Sequence, residues 1–179
     1  MLPEHDQRWD LARQLLNDGS IPVADRVAGL LVLLYAQRVV RITQLTTKHV
    51  AITDNGVELR LGEAPILLPT ALGDLLVRLV EDRRGATATA PDDAVWLYPG
   101  IRLGRSIARS DLTTRLLNLG ISPTLGRNTA LMEMAAEMPA AVITRMLGIS
   151  LDRATRWTQD AGNTRPGYAA QVARRASHK

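Results

Sequence analysis

With 179 residues, 46% of them hydrophobic and 22% charged, the chain has the size and composition of one soluble domain with its own core, and two complete domains would be a squeeze. The absence of cysteine excludes a disulfide scaffold, a thiolate zinc site and a cysteine nucleophile. The formal charge of +4 is uneven: residues 1–93 hold 10 Lys and Arg against 13 Asp and Glu, while residues 94–179 hold 12 against 5, so the C-terminal half suits a polyanion.

In chain order, Gln7 to Asn17 places Trp9, Leu11, Leu15 and Leu16 at helical spacing, ended by Asp18-Gly19. Asp25 is expected to cap a second helix, Arg26 to Gln37, apolar enough to be buried on most sides. A short helix or turn over Ile42–Leu45 follows. Three extended runs come next, at 50–53, 57–61 and 66–68, with a hairpin turn at Asp54-Asn55-Gly56 and Pro69 closing the sheet. Thr70 to Arg83 predicts an amphipathic helix with Leu72, Leu75, Leu76, Leu79 and Val80 inward. Residues 84–93 are the most loop-like stretch and are expected to form a mobile connection. After the short extended piece Trp96–Gly100, helices are expected at 106–119, 125–138, 139–147, 151–161 and 167–175, with Pro139 opening one and Gly148 capping its end. The fold class is therefore mainly α with a small three-stranded antiparallel β-sheet, in one domain over 1–179.

The longest apolar run, Val27 to Ala36, has about half the ~20 residues needed to span a bilayer. The N-terminus lacks a basic region followed by an apolar stretch, so a cytoplasmic protein with no membrane partner is expected. No metal-ligand constellation and no glycine-rich phosphate loop appears, and no cofactor is expected.

Several segments, in order, resemble the tyrosine recombinase (phage integrase) catalytic domain. Residues 33–42, Leu-Leu-Tyr-Ala-Gln-Arg-Val-Val-Arg-Ile, resemble the family's first arginine box, "LLxTGLRxxEL". Trp96-Leu97-Tyr98-Pro99-Gly100 resembles its "LFPG" strand, and residues 124–130, Thr-Leu-Gly-Arg-Asn-Thr-Ala, resemble "HxLRHTFA". Met146-Leu147-Gly148-Ile149-Ser150 resembles "LLGHS", and Thr155-Arg156-Trp157 falls where "TxxYxH" carries the nucleophile. The resemblance covers nearly the whole chain without the family's N-terminal arm-binding domain.

This resemblance implies a tyrosine-recombinase catalytic fold, with double-stranded DNA as partner and a second copy or a recombinase as a further one. It places Arg38 and Arg127 at the two arginines that hold a DNA phosphate where charge builds up. The remaining positions depart from the pattern: Thr124 and Ile149 replace the two histidines, Leu61 falls at the lysine, Arg41 replaces the acid, and Trp157 stands one residue short of the tyrosine. An indole offers an N–H donor and no attacking oxygen. Tyr168, ten residues on, either anchors the last helix or swings in as a displaced nucleophile. His49 reads as a solvated turn residue. Losing nucleophile, general acid and general base together removes several orders of magnitude in rate.

Residues 139–161 also have the look of a helix-turn-helix, with Gly148 in the turn, Ile143, Ile149, Ala154 and Trp157 inward, and Arg153 and Arg156 facing a major groove, Arg145 alongside. The bland alternative is an ordinary packed helical hairpin. Three functional readings stand at this point: a catalytically silent DNA-binding regulator or accessory factor of recombination or integration, a protein-interaction scaffold whose arginines are ion-paired remnants, and an active recombinase with displaced residues.

Overall fold

The computed structural model describes residues 4–86 and 95–163. It is mainly helical with one three-stranded antiparallel sheet, as the periodicities predict. The first helix, α1 (Glu4–Asn17), packs on α2 (Val23–Tyr35), whose Val27, Ala28, Leu30, Leu31 and Val32 are wholly shielded from solvent. A helix apolar all round can only be central. The α1 stripe is shifted from the expected one: Arg8, Ala12 and Leu15 are buried, while Trp9 is exposed with the Arg8 guanidinium stacked 4.7 Å from its ring centre. Arg8 reaches the interior because its guanidinium bonds the Leu33 carbonyl and the Glu133 carboxylate.

Asp25 is not the cap of α2. Pro22 is, with its fixed φ of −54° leading into the first turn, and Asp25 lies buried inside that turn, 3.5 Å from Arg115. The helix also stops at Tyr35 rather than Gln37, because Ala36 adopts a left-handed φ of 52°. The short helix α3 spans Val39–Ile42, earlier than expected, and a 3-10 turn covers Thr47–His49. His49 is half-buried there rather than solvated: its Nδ1 accepts the Thr46 backbone N–H at 3.0 Å, closing a capping box.

Strands β1 (Val50–Thr53), β2 (Gly56–Leu59) and β3 (Ile66–Leu67) form a meander in sequence order, with Val50 opposite Leu59 and Leu59 opposite Ile66. The middle strand ends two residues before the expected Leu61. The sheet packs through β2 on α4 (Thr70–Ala86), whose Leu72, Leu75, Leu76, Leu79 and Val80 are all buried. This helix runs three residues past its expected end, so Arg84–Ala86 are helical and residues 87–93 of the anticipated loop lie outside the described residues.

Residues 96–100 form isolated bridges, Trp96 with Thr46 and Pro99 with Ser106, rather than a strand. Tyr98 is buried there and donates its hydroxyl to the Ala24 carbonyl at 2.9 Å, pinning this segment to α2. Because the Ile107 amide is held by Tyr98 O at 2.7 Å, α5 (Arg109–Asn118) begins three residues later than the pattern predicts. Then follow α6 (Pro123–Glu137), α7 (Ala140–Leu147) and α8 (Leu151–Asn163). Pro139 caps α7, and Gly148 ends it with a φ of 66°. The expected helix at 167–175, with Tyr168, lies outside the described residues. Helices α5 and α6 close on α2, and α8 lies against α6 and α7.

Candidate nucleic-acid interface

Arg38 is delivered by a short, pinned link. The left-handed turn at Ala36 breaks α2, and the buried Gln37 amide donates to Tyr35 O at 3.0 Å and Leu147 O at 3.4 Å. Arg38 follows in extended conformation as the residue before α3, exposed, with its neighbours on both sides in the core. Arg127 comes from the opposite wall, in the first turns of α6 after Pro123, and is half-buried.

These two arginines meet at the junction of two open clefts. One, of about 240 Å³, is lined by Arg38, Arg109, Thr113, Thr124 and Arg127 among others. The other, of about 280 Å³, is lined by Arg38, Arg41, Arg127, Ile149, Ser150 and Arg153 with the adjoining backbone. Arg38 and Arg127 are the residues common to both, and no carboxylate lines either.

The electrostatics centre on Arg127. Its Nε and Nη2 are shielded from solvent and have no hydrogen-bond partner in the protein. Burial first, then the like charges of Arg153 and Arg38, hold its pKa below the ordinary arginine value. A guanidinium with buried, unsatisfied N–H groups beside two further cations is unfavourable until an anion supplies the acceptors. Planar, forked donors of this kind match phosphate oxygens.

The other expected site residues divide. Thr124 and Ile149 stand in the walls of the two clefts, the hydroxyl exposed and the isoleucine buried. Neither side chain is a proton-transfer group at neutral pH. Trp157 lines neither cleft; it is half-buried on α8 and packs against the core, with Ile143, Ile149 and Ala154 buried beside the α7–α8 turn. Arg153 lines the second cleft, whereas Arg145 and Arg156 are exposed outside both. Leu61 is buried, its carbonyl accepting from Arg41 Nη2 at 2.8 Å. Just beyond it the backbone of Gly62 abuts that of Arg145 and Gly148, and the Ala64 amide donates to Arg145 O at 3.1 Å, so the β2–β3 loop is docked on the end of α7.

Sequence reasoning missed Arg109, Thr113 and Ser150. The available signal was an arginine at the first residue of a helix, where its charge opposes the helix dipole and needs another purpose. Placing the start of α5 at Ser106 hid it. Among the described residues, no three metal-ligating side chains cluster, and no helix is long and apolar enough to cross a membrane.

The order of the helices and the small three-stranded sheet give a fold like that of a tyrosine-recombinase catalytic domain. Among solved structures it is similar to XerA recombinase, at 16% identity and a TM-score of 0.59, covering 83% of this chain and 58% of that one. It is also similar to the XerH site-specific recombinase bound to its palindromic difH substrate in a post-cleavage complex, at 13% identity and a TM-score of 0.60, covering 94% of this chain and 52% of that one. The chain thus spans little more than half the length of these recombinases. No protein-family model matches the sequence, and no curated protein does.

Proposed function

We propose that this chain is a duplex-DNA-binding domain on a tyrosine-recombinase fold that does not cleave DNA itself, acting as a regulator or accessory factor in recombination or integration beside a recombinase or a second copy. The observation that carries the reading is Arg127, with two shielded guanidinium nitrogens unsatisfied in a cleft shared with Arg38 and free of carboxylates. Arg153 extends the same grip, and the exposed Arg145 and Arg156 add positive charge around the α7–α8 turn. The DNA held by the similarly folded XerH makes a nucleic acid the natural polyanion. Silence in catalysis follows from the side chains at the positions of the two histidines, the lysine and the tyrosine: threonine, isoleucine, leucine and tryptophan supply neither a base nor a nucleophile activated by one.

Duplex affinity measured by anisotropy over a salt series tests the reading. Each phosphate neutralised contributes about 0.9 to the slope of log K against log salt, so the wild-type protein is expected to bind with a steep slope. Arg127→Ala is expected to weaken binding by about tenfold or more, the equivalent of one charge-assisted hydrogen bond of roughly 1.5–3 kcal/mol. Binding to no duplex, or binding indifferent to both salt and Arg127→Glu, would sink the reading and leave a scaffold for protein partners.

A further inference from the structure

The paired clefts carry more than a single phosphate grip. Arg38 and Arg127 line both, and each cleft adds cations and hydroxyls of its own: Arg41 and Arg153 with Ser150 in one, Arg109 with Thr113 and Thr124 in the other. Arg109 is the first residue of α5, and Thr113, one turn later, lies on the same face. A positive charge at a helix start is unfavourable because it opposes the helix dipole. Arg115, in the last turn of the same helix, is 3.5 Å from Asp25; Arg109 faces instead a cleft that contains only other cations, hydroxyls and aliphatic groups. The charge there is uncompensated by any lining side chain, as it is around Arg127.

Resting on the DNA reading above, we infer that the clefts form two phosphate subsites that share Arg38 and Arg127. Arg109 and Thr113 take a second backbone phosphate of the strand whose first phosphate lies against Arg153 and Ser150. Arg109 is an exposed side chain, so its truncation leaves the core untouched.

The test is the salt dependence of binding to a short synthetic duplex for the wild type, Arg109→Ala, Arg153→Ala and the double variant, with thermal melts confirming that each folds. Each single substitution is expected to lower the slope by about 0.9, and the double substitution by about 1.8, because the two residues neutralise different phosphates. If Arg109→Ala leaves the slope unchanged while Arg153→Ala lowers it, the second subsite is refuted and DNA binding stands. If the double variant loses no more slope than either single one, both residues share one phosphate and the two-subsite arrangement is equally refuted. A wild-type protein that binds no duplex overturns the DNA reading and this inference together.

Discussion

Tyr98 ties the bridge-forming segment to α2 by one hydrogen bond from its buried hydroxyl to Ala24 O. Burial, reinforced by the negative charge of Asp25, pushes its phenol well above the ordinary tyrosine value. The fold therefore favours the neutral form, and the sign follows: below about pH 10 both states are neutral and the contribution is complete, while above it the unfolded chain ionises and the fold does not. Chemical denaturation followed through alkaline pH is expected to show stability falling above about pH 10. Tyr98→Phe should blunt that fall and cost about 1 kcal/mol at neutral pH for the lost bond. At this scale the motifs around Arg38 and Arg127 singled out two residues that the fold brings to the same pair of clefts. Arg8 was not legible in the sequence, because its partners Leu33 and Glu133 are 25 and 125 residues away and leave no local trace.

Elements were readable from their apolar spacing, and their ends were not. All five inward residues expected of α4 are buried, and α2 is as enclosed as its composition demands. Their limits were set by contacts invisible in a linear reading: α5 starts late because Ile107 is held by Tyr98, and α2 starts early because Pro22 stands before it. The docking of the β2–β3 loop on α7 is another such contact. A Cβ at residue 62 would lie 2.4 Å from Arg145 O and 2.7 Å from Gly148 N, both backbone atoms that cannot swing aside. Gly62→Ala is therefore expected to destabilise the protein by about 1–3 kcal/mol, the usual range for forced overpacking. Gly19→Ala, where nothing lies within 4 Å, provides the matched control. A difference scan of melting temperature for the two variants checks this, and equal shifts would mean that the loop is not seated on α7.

Across the molecule, the arginines of the two clefts come from both halves of the chain. The N-terminal half is net acidic, with 10 basic against 13 acidic residues through position 93, yet it contributes Arg38 and Arg41 to the same clefts as Arg109, Arg127 and Arg153. Counting along the chain located the basic half correctly and understated the site, because folding draws cations from both halves onto one face. With no tyrosine among the described residues that line the clefts, and no histidine or carboxylate there to activate the Thr113, Thr124 and Ser150 hydroxyls, incubation with a nicked duplex that traps covalent intermediates is expected to give no protein–DNA adduct. An adduct abolished by Tyr168→Phe would restore an active recombinase, with the chemistry supplied from beyond the described residues.

The seat of Leu61 has a consequence for how such a domain can change. Its side chain is buried and its carbonyl is held by Arg41, so a lysine introduced there enters the core. An ammonium in that position is unfavourable by several kcal/mol. Leu61→Lys is thus expected to loosen the β2–β3 loop from α7 rather than leave a new cation at the surface. The docked loop therefore sets which side chains position 61 accepts, and a buried charge is not among them.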